Sequence, residues 1–384
     1  MIGFRVARLF AFWTSTLCFG KDILHTHAQI APINAANGRF WFRTARENTV
    51  DFQPAKTLVL NFYDALDNAS PTQAAAVMER FLSPDILFRA FHPFGELQGD
   101  PAQVAETVWV PLKTSLSRMQ RRMDIFFAGQ NSLTDDDDGS VWVASMGHLM
   151  GLFDAPLLGI RPTGKIGMLR YAEFLRVQDG RITEVAFYFD LPHLMAQAGQ
   201  NPFPPQTGAQ LIQPGPLTHD GLLFADAERG EGVATLAAIN AMISDLGQWN
   251  NPLPLEEELA LTWQDDMLWW GPTGIGATYT IERYAKQHSG PFRAAFANRS
   301  GTGHVCRMAE GAYGGFFGWP NFRAVHTGGF MGLPGREEAV EFRVIDLYRR
   351  GTDKLAENWI FIDMLHFMQQ QGVDVLLRNQ TTSL

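Results

Sequence analysis

The sequence predicts an α+β protein made of two tandem copies of one module, each with helices packed on a strongly curved antiparallel sheet. Three observations carry this. Residues 170–199 align without a gap on residues 343–372, at a constant spacing of 173 positions. Within that stretch Arg170 matches Arg343, Arg176 matches Arg349, Glu184 matches Glu357, Asp190 matches Asp363, His193 matches His366, Met195 matches Met368, Gln197 matches Gln370 and Gly199 matches Gly372, while Glu173 faces Asp346 as a charge-conserving pair. In each half, helical periodicity comes first and period-two text follows, which is the order of an α+β domain and not of alternating βαβ units. A spacing near 173 residues is too long for a solenoid or propeller unit and suits a whole domain.

Residues 1–53 read as an irregular N-terminal extension. Arg5 and Arg8 precede an apolar stretch over residues 9–20, but Lys21 and Asp22 stand where a small-residue cleavage site belongs. A cytoplasmic protein is therefore expected, with export through an atypical signal peptide over residues 1–28 as the alternative. The first domain, residues 54–200, opens at Pro54 with a helix whose stripe is Leu58, Phe62 and Leu66, widened by Val59 and Tyr63. Helices are also expected over 71–82 and 101–117. Strands follow over 122–128, 141–152, 166–177 and 181–190, broken by Asp-Gly turns at 138–139 and 179–180. Asp135 to Asp138, before Gly139, is read as a solvated hairpin turn. Residues 201–229 form the linker: Pro202, Pro204, Pro205, Pro214 and Pro216 stiffen it and bar it from a sheet interior. The second domain, residues 230–384, repeats the plan with helices over 232–247 and 278–288, strands within 304–363, a helix ending at Gln371 and a short tail. In both copies D-x-x-H-x-M-x-Q-x-G reads as a short helix begun by Asp and closed by Gly.

Composition excludes several classes. With 384 residues, 46% hydrophobic and 12% aromatic, the chain can build two cores. Its net charge of −9 and scattered Lys and Arg lack the basic stripe of a nucleic-acid binder, so no nucleic-acid partner is expected. Cys18 and Cys306 are too few for a disulfide framework or a cysteine zinc site, and Cys306 reads as a small buried hydrophobe. No apolar run is long enough for a membrane span. There is no G-x-G-x-x-G, no P-loop and no G-x-S-x-G elbow; residues 271–276 (GPTGIG) read as a turn before a helix.

The segment HTGGFMGLPG (326–335), followed by EFRVIDLYRRGTDKLAENWIFID (341–363), resembles the signature of SnoaL-like polyketide cyclases, in the superfamily of nuclear transport factor 2 (NTF2), ketosteroid isomerase and scytalone dehydratase. A looser version stands in the first copy as GHLMGLFDAPLLGIRPTGK (147–165) and the strand pair ending at Asp190. The resemblance implies an α+β cone, NTF2-like or cystatin-like, with a pocket between helices and sheet. It also implies aldol-type cyclisation, or related lyase or isomerase chemistry, on a small carbonyl-bearing substrate without metal or organic cofactor. The acid/base residue it implies is Asp363, with Asp190 as its first-copy equivalent; His326 and His148 are the matching histidines. Tandem fusion would stand in for a homodimer, giving a pseudo-dimer with facing sheets and leaving a further homodimer open.

Such chemistry needs a base to take a proton alpha to a carbonyl and donors for the enolate oxygen. Apolar walls would strengthen a carboxylate as base, and Trp269, Trp270, Tyr313, Phe316, Phe317, Trp319 and Trp359 are available. Substrate contacts are expected from Tyr313, Trp319, Trp359, Arg343 and Trp270. Against this stands a structural reading: Asp is a favoured N-cap, and both Asp190 and Asp363 directly precede a helix. The two readings balance for Asp363, and capping is preferred for Asp190. Packing is expected for His193 and His366, and cross-strand ion pairs for Arg176 with Glu184 and Arg349 with Glu357. The glycine- and aromatic-rich run 309–320 reads as a pocket rim in preference to a series of bulges. His304, Glu310 and His326 lack metal-ligand spacing, so no metal is expected. Two alternatives remain: a non-catalytic small-molecule-binding or scaffold protein, and a hydratase or dehydratase on the same fold.

Overall fold

A computed structural model describes residues 50–133, 140–247 and 252–381. The N-terminal extension, Cys18 and the expected turn at Asp135 to Asp138 lie outside these residues.

In the first copy α1 (Gln53–Asn68) has a proline in its first turn and buries Val59, Phe62, Tyr63 and Leu66 on one stripe. After α2 (Ala74–Phe81) come β1 (Leu82–Ala90) and β2 (Gly95–Gln98), strands hidden from a pattern reading by Pro84, Pro93 and interspersed charges. The expected helix over 101–117 forms as α3 (Pro101–Val104), a π-helical turn over Ala105–Trp109, and α4 (Val110–Ser115). Pro111 explains the widened turn: it has no N–H for the α-helical ladder. The long strands are β3 (Leu116–Gly129), β4 (Val141–Phe153), β5 (Ile166–Gln178) and β6 (Arg181–Phe189), and α5 (Leu191–Gln197) closes the copy.

The second copy follows the same order. It comprises α6 (Arg229–Gly247), α7 (Leu255–Leu259), β7 (Trp263–Trp270), β8 (Ala277–Tyr279), α8 (Ile281–Tyr284), a π turn at Ala285–Ser289 ahead of Pro291, and α9 (Gly290–Ala295). Then come β9 (Phe296–Gly301), β10 (Cys306–Glu310), β11 (Tyr313–His326), β12 (Ala339–Arg350), β13 (Leu355–Ile362), α10 (Met364–Gln370) and α11 (Val375–Thr381). Where the first copy has the single strand β3, the second has β9 and β10, both paired to β11.

The sheets run β2-β1-β6-β5-β4-β3 and β10-β11-β12-β13-β7-β8. They are mixed, where the sequence predicted antiparallel sheets. Each has one parallel pairing, β1 on β6 and β7 on β13. The cause is connectivity. The helical segment after β2, or after β8, carries the chain to the far edge, so the last strand returns beside the first in the same direction. Register shifts within β3–β4 and at Gly318/Phe322 of β11 supply the bends of a curved sheet.

Both faces of each sheet are covered. One packs on its own helices, and the other packs on the opposite sheet. Phe317 of β11 lies against Trp142 and Phe174, with ring centroids 5.5 and 5.3 Å apart, and Tyr188 donates to the Gly318 carbonyl at 2.9 Å. Arg170 donates to the Trp270 carbonyl at 2.9 Å, with its guanidinium 3.9 Å over Phe361. Glu310 accepts from Lys56 Nζ at 2.6 Å, Ala128 N at 2.7 Å and Ala227 N at 2.9 Å, joining β10 to α1, β3 and the linker. The linker pairs with sheet edges, where Ala209 bridges Ala277 and Gly221 and Leu223 hydrogen-bond Phe126. Between them its prolines leave it outside the ladders, where side chains of β13 meet it.

The repeated D-x-x-H-x-M-x-Q-x-G text has a repeated physical purpose. Asp190 Oδ1 accepts from His193 N at 3.1 Å, and Asp363 Oδ1 from His366 N at 3.1 Å, so both cap their own helices. The second oxygen of each reaches across: Asp190 Oδ2 takes Thr273 N, and Asp363 Oδ2 takes His92 N, both at 2.9 Å. Thr273 and His92 occupy the same loop of the two copies, the one after β7 and after β1. Gln197 and Gln370 then bind both backbone groups of Met168 and Glu341, fastening each helix to its sheet.

Asp363→Ala leaves two N–H groups without an acceptor, and an unsatisfied buried donor costs about 1–3 kcal/mol. The expected loss is therefore about 2–4 kcal/mol, read as a lower urea midpoint at unchanged slope. A midpoint equal to wild type contradicts this role.

Candidate functional site

Strand alternation sorts the candidate residues before any chemistry is considered, because neighbours on a strand face opposite sides of the sheet. On β12, Arg343, Ile345 and Leu347 turn toward the other copy, while Phe342, Val344, Asp346 and Tyr348 line a cavity of about 850 Å³ between sheet and helices. On β13, Trp359 and Phe361 face outward from that cavity, and Asn358, Ile360 and Ile362 line it.

The residues expected to act lie elsewhere. Asp363 has both oxygens on backbone N–H groups, with Arg343 Nη1 at 3.8 Å. Burial still pushes its carboxyl up to about 6, against those bonds and Arg343. Arg343 stacks 3.8 Å over Trp319. Tyr313 hydrogen-bonds Asp220 of the linker, and Trp359 donates to the Pro214 carbonyl at 3.0 Å. Trp270 supplies its carbonyl to Arg170. His326 is buried between Phe296 and Phe367, with Nδ1 3.0 Å from Gln371. Asp190 repeats the clamp of Asp363, and His148 stands 3.6 Å from Asp124. None of these nine side chains lines the cavity; of the proposed aromatic wall only Trp269 and Phe316 do. Arg349 and Glu357 form the expected cross-strand pair at 2.6 Å.

The carboxyl that the cavity does contain is Asp346. It is buried, and burial pushes it up to about 7, opposed by the hydrogen bond from Asn358 Nδ2 at 3.0 Å, by Tyr348 and by Arg299 and Arg170. The walls are Trp263, Trp269, Phe292, Phe296, Phe316 and Phe322. Polar groups lining the same space are His288, His304, Tyr284, Tyr348, Asn321, Arg299 and Arg307. The π turn of the α8–α9 segment carries His288, which stacks on Trp269 at 4.0 Å; desolvation pulls it down to about 3. His304 stacks on Phe316 at 4.0 Å and is likewise pulled down to about 3, by burial and by Arg307 and Arg299. Tyr348 is raised by burial and by Asp346, so its hydroxyl keeps its proton. The arrangement therefore pairs one weakly acidic carboxyl with neutral donors in an aromatic chamber.

The first copy places Glu173 at the position of Asp346 but fills the space around it. Tyr63 donates to Glu173 at 2.6 Å and Arg121 Nη1 lies at 3.1 Å. The Arg121 guanidinium sits 3.9 Å over Tyr63 and 4.9 Å over Tyr171. Burial raises Glu173 while Arg121 opposes that rise. Its carboxylate thus has partners on hand and serves the core.

Sequence reasoning passed over Asp346 although it had paired it with Glu173. The signal was its position: an acidic residue in a buried strand, three residues on from Arg343 of the same strand and therefore on the opposite face from it. Among the described residues no cluster of three or more His, Cys, Asp or Glu could hold a metal ion, and no helix is long and apolar enough to cross a membrane. Glu310, once set beside His304 and His326, instead holds Lys56 and two backbone amides.

Three solved structures illustrate what the chain is similar to. One, from Xanthomonas campestris pv. campestris and provisionally assigned as a polyketide cyclase, is 23% identical over 38% of this chain and 97% of its own, with a TM-score of 0.29. An NTF2-like protein from Burkholderia thailandensis is 23% identical over 38% and 97%, at 0.28, and one from Anabaena variabilis is 16% identical over 34% and 89%, at 0.26. No curated protein matches the chain. Residues 320–371, from β11 through α10, match the family model described as SnoaL-like polyketide cyclase. Part of the second copy, from β11 through α10, is thus similar to SnoaL-like polyketide cyclases, and the first copy repeats the α+β plan of the second.

Proposed function

We propose that the second copy is a cofactor-independent acid/base enzyme acting on a carbonyl-bearing small molecule, with Asp346 as the proton-transfer group. The observation that carries this reading is a buried carboxyl, raised to about 7, facing an aromatic-lined cavity of about 850 Å³. A base whose pKa lies near the working pH combines a populated ionised form with a useful proton affinity. Asp346 would take a proton alpha to the carbonyl, and a neutral donor such as His304 would hold the enolate oxygen. The aromatic walls suit a flat, largely apolar substrate body. Cyclisation, isomerisation and elimination share that first step, and the polyketide-like esters suggested by the family description are the substrates to try. The first copy, its carboxylate engaged by Arg121 and Tyr63, serves as scaffold.

Across a panel of β-keto esters and polyketide-like methyl esters, Asp346→Asn is expected to lower kcat by about 10²–10⁴. Asp363→Asn and Glu173→Gln should retain turnover. Wild-type kcat should rise with pH through an inflection near 7. Full activity in Asp346→Asn removes the assignment; ligand binding without turnover in the wild type leaves a binding protein.

The same carboxyl makes a stability prediction. Its folded value lies above the unfolded one, so the folded state binds the proton more tightly and stability from this group falls as pH rises from about 4 through 7. At about 1.4 kcal/mol per unit, Asp346→Asn should be more stable than wild type above pH 7 by up to about 4 kcal/mol, and nearly equal to it near pH 4. Equal denaturant midpoints at pH 8 contradict this.

A further inference from the structure

His304 enters the cavity with one ring nitrogen already committed. Arg307 Nε lies 3.3 Å and Arg307 Nη2 3.1 Å from His304 Nδ1. A guanidinium has donors only, so the nitrogen facing it must present a lone pair. The remaining proton of a neutral imidazole then sits on Nε2, and His304 is among the residues that line the cavity. Stacking on Phe316 at 4.0 Å and 6° fixes the plane in which that N–H lies.

Arg307 is itself held from both copies. Its Nη1 donates to Asn240 of α6 at 2.7 Å. Its backbone N–H donates to Asn131 Oδ1 at 3.1 Å, and its carbonyl accepts from Ser132 N and Ser132 Oγ, both at 2.9 Å. Asn131 Nδ2 also donates to the Val305 carbonyl at 2.9 Å. Asn131 and Ser132 follow β3 of the first copy, and β10 is the edge strand of the second sheet. The first copy thus occupies the open side of the strand that carries the cavity wall.

We infer that Arg307, anchored by Asn131 and Ser132 of the first copy, is a positioning residue that locks His304 as a neutral Nε2–H donor for a developing negative oxygen in the second-copy cavity. This rests on reading that cavity as an acid/base site, but the lock has a readout of its own. It gives the first copy a part in the chemistry without a site of its own. A guanidinium suits the task because it cannot exchange roles with the ring: it remains a donor, so Nδ1 of the neutral ring remains the acceptor.

The test is long-range ¹H–¹⁵N correlation of the full-length protein labelled at histidine nitrogens, with the His304 signals assigned by their absence in His304→Gln. The wild type should show the Nε2–H tautomer, unchanged from pH 5 to 9. Arg307→Met should give a mixture of tautomers, and Arg307→Lys, which keeps a donor, should restore the wild-type pattern at least in part. Asn131→Ala should shift the tautomer ratio in the same direction as Arg307→Met, by less. On a substrate turned over by the wild type, Arg307→Met should lower kcat roughly 10-fold or more, since a lost oxyanion donor costs up to about 10²–10³, with KM changed less. An Nδ1–H tautomer in the wild type, a protonated ring at pH 6, or a pattern unmoved in Arg307→Met overturns the inference and leaves the Asp346 assignment standing. Failure of Asp346→Asn to affect turnover, with the tautomer as expected, overturns the enzyme reading alone.

Discussion

Each sheet of this protein is buried on both faces, and that constraint separates chemistry from scaffold. A strand residue either looks into its own cone or looks at the other copy, and a shift of one position exchanges the two. Polar groups on the inter-sheet face have nowhere to find water, so they are spent on one another: Glu310 on Lys56 and two amides, Arg170 on the Trp270 carbonyl, Asp190 and Asp363 on the loops of the opposite copy. What faces the second cone is released from that duty. Asp346 can therefore sit among aromatic rings with one amide and one hydroxyl beside it, a situation that a group needed for packing could not occupy.

The two copies show how a duplicated cone diverges. At equivalent positions Glu173 has Arg121 and Tyr63, with the cation wrapped by Tyr63 and Tyr171, while Asp346 has Asn358 and Tyr348 and an open chamber. An ion pair with good partners favours a packed core; a carboxyl held above its ordinary range costs stability and gains reactivity. The filled copy can supply what the open one lacks, because the reciprocal aspartate caps and the Phe317 contacts bind them into one unit.

Much of the fold was legible because it rests on local rules. The repeated aspartate, glutamine and glycine mark a cap, a strand staple and a helix end in both copies, and the proline-rich stretch joins no sheet interior. The strands β1, β2, β7, β8 and β9 were not legible, since prolines and charges interrupt their alternation or the strand is too short to show one, and only pairing within the sheet creates them. The parallel pairing of first and last strands depends on the path of the chain, which no local pattern encodes. The candidate residues were drawn from the face turned away from the cavity for a related reason. Residues 343–348 carry apolar or aromatic side chains on both faces, so the period-two signal that assigns inside and outside is absent, and the more familiar position at the strand end drew the assignment to Asp363. The pairing of Glu173 with Asp346 was visible in the alignment, but its consequence appears only once Arg121 is seen beside one and empty volume beside the other.

The most direct measurement is the titration of the Asp346 side chain by carboxyl ¹³C NMR, assigned with Asp346→Asn and followed from pH 3 to 9. A midpoint near 7 is the result this account predicts, because burial in the aromatic chamber outweighs Asn358, Tyr348 and the nearby guanidinium groups. A midpoint near 4, the ordinary range of an aspartate in water, would contradict it: the chamber would then be wet or the carboxylate paired, and Asp346 could not act as the base proposed.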